Sequence, residues 1–350
     1  MKKFFCAQCN GRVFFENSRC LVCQAELGFV TGDLAIATFQ PAAPDKKQQR
    51  IGGTGLYRRC GNLKTAGACN WMIPSDAPDP FCASCRLNRT IPDLSKPQNQ
   101  QAWLKLETAK RRLLYSLLAL GLPVASKQEN PAQGLAFDFL EDTPPGAPGD
   151  DHVFTGHAEG LITINLDETD DPKREKARQL MGEMYRTVLG HFRHEVGHYY
   201  WDLLVRDTPQ LEIFRNIFGD ERADYIGALD NHYRQGPPAN WLQKHVSAYA
   251  AAHPWEDWAE TWAHYLHILD TLETAAAEGL IIQDGQNQMV ILPPIGRPFI
   301  DIAIQWRGVR LLLNGLNRSM GLPDPYPFVL ADAVIAKLTL IHDWVSGRLK

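Results

Sequence analysis

The sequence has no cysteine after Cys85 and no histidine before His152. Any metal site in its head must therefore be built mainly from thiolates. No stretch approaches the ~20 consecutive apolar residues of a membrane span. Met1-Lys2-Lys3-Phe4-Phe5 opens like a secretory leader, but Cys6 and polar residues follow at once and no apolar core develops. A soluble cytoplasmic protein with no membrane partner is expected. Neither sign of charge dominates: 36 Lys and Arg stand against 40 Asp and Glu in 350 residues, a net charge of -4. The distribution is uneven, with twelve basic and six acidic residues in 1–90 and an acidic remainder. Thiolate-bound metals would cancel most of the excess in the head, so nucleic acid is not the expected partner there.

All eight cysteines lie within the first 85 residues. Cys6, Cys9, Cys20 and Cys23 read C-x2-C-x10-C-x2-C, two facing thiolate knuckles in the pattern of a zinc ribbon. Asn10-Gly11 suits the tight turn that follows the first knuckle. Cys60, Cys69, Cys82 and Cys85 read C-x8-C-x12-C-x2-C, looser but again closing at four. Disulfides are the alternative for a small secreted domain. Three C-x-x-C pairs and no visible leader favour two structural zinc sites. Four thiolates leave no open coordination position, which suits a structural role.

The expected class is α+β. A double zinc-ribbon head (residues 1–92, with a polar, Pro/Gly-rich linker at 40–55) precedes a mainly helical body with a small sheet (102–350). In the head, strands are expected at 12–15 and 28–30. In the body, a helix is expected over 102–120, loop over 127–151, and a strand at 161–166. A long helix should run from about Asp171 to Leu204. Further helices are read near 209–217, 221–234, 238–250, 255–278, 299–317 and 329–347, with a strand at 289–292.

The long helix carries His194-Glu195-Val196-Gly197-His198. Four residues of separation put both imidazoles on one face, one turn apart, where they can bind one ion. Glu195 is rotated ~100° from His194 and can act as general base without ligating the metal. Gly197 costs about 1 kcal/mol of helix stability against Ala, which suggests that something packs close. A catalytic zinc needs a third protein ligand. The segment after His198, Y-Y-W-D-L-L, lacks the Gly and third His of the metzincin layout. The favoured candidate is Glu256 in H-P-W-E-D-W-A-E, where Pro254 suits a first helical turn. Glu260, one turn on, can accept the free N–H of a ligating His and fix its tautomer. Trp255, Trp258 and Trp262 read as a buried stripe. Glu221 is the rival third ligand, in F-G-D-E-R-A-D-Y, where Asp220 and Asp224 form another i,i+4 pair. The strand at 161–166 is a candidate edge along which a peptide lies extended.

H-E-x-x-H on one helix with E-x-x-x-E on a later one resembles the gluzincin metallopeptidases. E-D-W-A-E is similar to the E-x-F-A-E segment of the anthrax lethal-factor type of gluzincin. Those enzymes carry a Tyr seven residues before the ligating Glu, and Tyr249 stands seven before Glu256. The resemblance covers roughly residues 160–270. It implies zinc on His194, His198 and Glu256, Glu195 as base, and Tyr249 steadying the oxyanion. Taken with the cysteine-rich head, the whole chain resembles a bacterial family of zinc-binding metallopeptidases with an N-terminal zinc ribbon. The activity so implied is hydrolysis of a peptide or protein substrate, with one catalytic and two structural zinc ions. The competing expectation is a ribbon scaffold that binds protein or nucleic acid, with a vestigial protease fold behind it.

Overall fold

The structure is a computed structural model that describes all residues except 42–45, 144–152, 171–186 and 348–350. The class is α+β, and the chain forms two compact units: residues 2–170, and residues 171–350 together with Met1. Among the described residues no helix is long and apolar enough to cross a membrane.

In the first unit, β1 (Phe4–Phe5) pairs with β2 (Arg12–Val13), and β3 (Glu26–Val30) pairs with β4 (Ala35–Phe39), both antiparallel. β5 (Gln48–Gln49), β6 (Leu56–Arg59) and β7 (Met72–Pro74) form a three-stranded sheet. The expected linker at 40–55 therefore contributes a strand, apart from 42–45, which lie outside the described residues. A short helix α1 (Gly61–Ala66) follows β6, and β8 (Asn88–Thr90) leads to α2 (Pro97–Ala119). Aromatic rings join these pieces. Phe15 lies 5.1 Å from Phe29 and 5.6 Å from Tyr115 of α2, and Phe29 lies 4.6 Å from Trp71. One face of α2 is thus committed to the same core as the ribbon strands.

The remaining sheet of this unit has the order β10-β11-β9-β8, with β9 at Ala136–Leu140, β10 at Gly156–Ala158 and β11 at Leu161–Asn165. Two expectations change here. Residues 136–140 (A-F-D-F-L) are a buried strand, not loop. The turn residues around them hide a run only five residues long. The strand at 161–165 is present, but it is interior. It pairs parallel with β9 and antiparallel with β10, so it offers no free edge for a peptide.

In the second unit, α3 (Val188–Leu204) carries the H-E-x-x-H. The Thr187 hydroxyl accepts from the Gly190 amide at 2.9 Å, a side-chain cap at its N-terminus. The expectation of helix over 171–186 falls outside the described residues. α4 (Gln210–Phe218), α5 (Tyr225–Gln235) and α6 (Trp241–Lys244) follow. The helix read over 238–250 is reduced to α6 and a single 3-10 turn at Tyr249–Ala251. α7 (Pro254–Ala277) begins as read, with Pro254 in its first turn and the His253 ring accepting from the Trp255 amide at 3.1 Å. The strand read at 289–292 is half of a hairpin, β12 (Ile281–Asp284) with β13 (Asn287–Val290). α8 (Phe299–Ser319) and α9 (Asp332–Val345) complete the unit.

α3 and α7 cross at Gly197. A Cβ there would lie 3.0 Å from the Ala259 Cα and 3.1 Å from the Trp262 Cβ. Glycine lets the two backbones meet, and the Trp258 indole N–H donates to the Gly197 carbonyl at 2.8 Å. Gly197→Ala would gain about 1 kcal/mol of helix propensity but overpack the crossing by ~1–3 kcal/mol. The expected result is a lower thermal midpoint by a few degrees. An unchanged or higher midpoint in calorimetry would mean the crossing has room to spare.

Candidate metal centre

The first cysteine group lies on two similar knuckles. In each, the residue after the second cysteine adopts the left-handed region, Asn10 at φ 56° and Gln24 at φ 61°. Its amide then reaches back to the carbonyl of the first cysteine, Asn10 to Cys6 at 2.8 Å and Gln24 to Cys20 at 3.0 Å. The four sulfurs converge: Cys6 and Cys23 are 3.6 Å apart, as are Cys9 and Cys20. That spacing is far beyond the ~2.05 Å of a disulfide. It is close to the ~3.8 Å edge of a tetrahedron with ~2.3 Å zinc–sulfur bonds. Burial pushes the Cys6 thiol up, but the Cys9 and Gln8 amides outweigh it and hold it at about 6, toward the thiolate a metal requires.

Cys60, Cys69, Cys82 and Cys85 form the second group, all buried, with Cys69 and Cys82 again 3.6 Å apart. Backbone amides point at the sulfurs, Trp71 N–H to Cys69 and Cys82 N–H to Cys60, each at 3.4 Å. α2 supplies charge beside this group. Glu107 Oε2 is 3.9 Å from the Cys85 sulfur, and the fully buried Lys110 ammonium is 2.6 Å from Glu107 Oε1.

The third group is His194, His198 and Glu256. Glu256 Oε2 lies 3.0 Å from His194 Nε2 and 3.7 Å from His198 Nε2. Zinc with ~2.0–2.1 Å bonds to N and O needs ligand atoms roughly 3.3 Å apart. The buried Oε2 has no directional hydrogen bond among the described residues, although it faces two imidazole nitrogens. Donor set and spacing therefore fit a zinc ion. Glu260, one turn along α7, takes the other side of the His194 ring: its Oε1 accepts from Nδ1 at 2.9 Å. The Ser247 hydroxyl in turn donates to Glu260 Oε2 at 2.6 Å. The second carboxylate thus fixes the tautomer that leaves Nε2 facing the site.

Electrostatics follow from burial of so many carboxylates. Burial pushes Glu256 up, but the two imidazoles outweigh it and hold it well below the usual carboxylate range. Burial presses His194 down, yet Glu256 and Glu260 hold it well above an ordinary imidazole. Glu195 is buried and its carboxyl is raised, chiefly by that burial, against the opposing pull of His194 and His198.

The rival ligand is elsewhere engaged. Glu221 forms a two-pronged pair with Arg215, and it belongs to no metal-capable group among the described residues. Asp220 pairs with Arg222, and Asp224 caps α5. The Tyr249 ring centroid lies 5.9 Å from that of His194. Trp258 and Trp262 are core, but Trp255 leaves the expected stripe: it is half-buried, with its ring 4.0 Å from that of His198. Two contacts escaped the sequence. Ser247 on Glu260 has no motif to mark it. The Tyr225 hydroxyl donates to Glu256 Oε1 at 2.6 Å, and its only sequence signal was a place in the segment noted for its carboxylates.

Residues 99–344 match the family model described as "Putative zinc-binding metallo-peptidase", and residues 3–96 match a zinc-ribbon domain. The two models meet inside the first compact unit, close to the join read from the sequence. The chain is 43% identical over 347 residues to uncharacterized proteins of Mycobacterium tuberculosis and Mycobacterium bovis, covering 99% of this chain and 96% of each relative. No solved structure matches it.

Glu256 and Glu260 hold His194 well above an ordinary imidazole, so metal uptake at Nε2 should release a proton. Zinc affinity at this site should then rise about tenfold per pH unit while the metal-free His194 stays protonated, and level off above its raised pKa. Competition titrations with a chromophoric chelator at several pH values measure the slope. A pH-independent affinity would show that no such proton is displaced.

Proposed function

The chain belongs to the zinc-binding metallo-peptidase family and carries an N-terminal zinc ribbon, and from that premise we propose that it hydrolyses peptide bonds. The reading rests on one observation above the rest: His194, His198 and Glu256 converge within bonding reach of a single ion, with Glu195 buried beside them. Zinc held there supplies Lewis acidity toward a scissile carbonyl and toward water.

The protein's own residues supply the rest. Glu195 accepts a proton from the attacking water and delivers one to the departing amine nitrogen. Its raised carboxyl suits both halves of that shuttle. Tyr249 is the proposed donor to the developing oxyanion, from its place beside His194. Glu260 and Ser247 hold the His194 ring in register. Cys6, Cys9, Cys20 and Cys23, and Cys60, Cys69, Cys82 and Cys85, hold two structural zinc ions and leave them no open position.

Glu195→Gln keeps shape and removes the base. It should lower turnover of a peptide library by about 10²–10⁴ while zinc content stays the same. Elemental analysis should find about three zinc ions per chain, and about two in the His194→Ala, His198→Ala double variant. Equal zinc in both proteins would place no metal on α3. Full activity in Glu195→Gln would remove that residue from the chemistry.

A further inference from the structure

Glu256 has two oxygens, and the structure gives them different partners. Oε2 faces the two imidazoles. Oε1 is taken by the Tyr225 phenol at 2.6 Å. Tyr225 is the first residue of α5, placed there by two neighbours. Asp224 caps the helix through the Gly227 amide at 3.1 Å, and the His253 ring donates to the Ala223 carbonyl at 3.2 Å. The Tyr225 ring packs edge-on against His253 at 5.2 Å and Trp255 at 5.9 Å. Both belong to the turn that begins α7, the same turn that carries Glu256. The phenol is therefore fixed to the carboxylate by ring packing as well as by the hydrogen bond.

A carboxylate can ligate a cation through one oxygen or both. With two imidazoles and one carboxylate oxygen, zinc keeps a fourth position open for water or substrate. With both oxygens bound, the same three side chains supply four donors, and water or substrate can enter only as a fifth ligand. We propose that Tyr225 is a positioning residue that holds Glu256 to single-oxygen ligation and so keeps the site open. The inference rests on the metallopeptidase reading above. It assigns Tyr225 a role distinct from that of Tyr249: Tyr225 acts on the ligand, Tyr249 on the reacting carbonyl. Remove the phenol, and Oε1 is a buried acceptor that has lost this donor and is free to turn toward a bound cation.

The test uses the full chain. A mild chelator strips the His194, His198 and Glu256 site while the thiolate sites keep their zinc, and one equivalent of cobalt(II) is then added. Four-coordinate cobalt absorbs strongly in the visible region, and five-coordinate cobalt absorbs weakly. In Tyr225→Phe the band should fall by about twofold or more. Turnover should drop, and zinc should bind no more weakly than in the wild type. Tyr225→Leu should give the same spectral change, which guards against a defect peculiar to one substitution. Tyr249→Phe should lower turnover and leave the band alone. A wild-type band in both Tyr225 variants overturns the inference, as does weaker zinc binding with that band retained, the pattern of a merely structural contact. Wild-type protein that shows the same cobalt spectrum as the His194→Ala, His198→Ala variant overturns the metallopeptidase reading itself, and the inference with it.

Discussion

The close approach of α3 and α7 at Gly197 is the constraint on which the candidate site depends. The backbones meet where a methyl group would already touch the Ala259 Cα, and an indole hydrogen bond from Trp258 to the Gly197 carbonyl holds the crossing. Gly197 sits between the two histidines of the motif. A helix brought this close at that point presents its first two turns to both. Glu256 and Glu260 are one turn apart on α7, and His194 is held between them, one carboxylate at each ring nitrogen. The glycine weakens its own helix, and the packing it permits outweighs that loss.

Such a crossing concentrates negative charge. Glu195, Glu256 and Glu260 lie within one small volume, and burial raises the free energy of each charged form. Two of them are stabilised as carboxylates by the imidazoles between them. The third, Glu195, is raised chiefly by its burial, against the pull of His194 and His198. Burial and the imidazoles thus separate three chemically similar side chains, two held low and one raised. A buried ion pair braces the arrangement from behind. Asp257, next to Glu256, meets Lys337 of α9 at 2.5 Å and His245 at 3.0 Å. The last helix of the chain therefore fixes the turn that carries the proposed third ligand.

Much of this was legible because helical spacing is regular. Residues four apart share a face whatever the surroundings, so the motif on α3 and the Glu256–Glu260 pair on α7 could be placed from numbering alone. The choice between Glu256 and Glu221 could not be settled that way. What bears on it is Arg215, which engages Glu221 through space. Tyr225 was illegible for a similar reason. A tyrosine one residue past a helix cap has no periodicity to mark it, and its contact spans 31 residues of chain. In the sheet, A-F-D-F-L is too short to stand out among turn residues. The interior place of L-I-T-I-N depended on that unseen strand. The cysteine spacings were informative because a metal site demands four thiolates at fixed separations, and the left-handed residue after each knuckle of the first group supplies the turn.

The family models and the compact units divide the chain differently, and the second cysteine group explains why. Four thiolates around a divalent cation leave two net negative charges in a buried place. Lys110 and Arg111, both from α2, stand next to that group, and Arg111 donates to the Ala68 carbonyl beside Cys69. Glu107, between them and Cys85, is raised chiefly by its burial and turns its other oxygen to Lys110 and Asn88. Cations so placed favour the thiolate form that a metal requires, and burying them without that negative charge would be costly. α2 lies within the part of the chain matched as metallo-peptidase, yet its buried charges complete a site in the ribbon. The physical boundary consequently falls after the small sheet, at residue 170, because electrostatics and the Phe15–Tyr115 core tie α2 to the cysteines ahead of it.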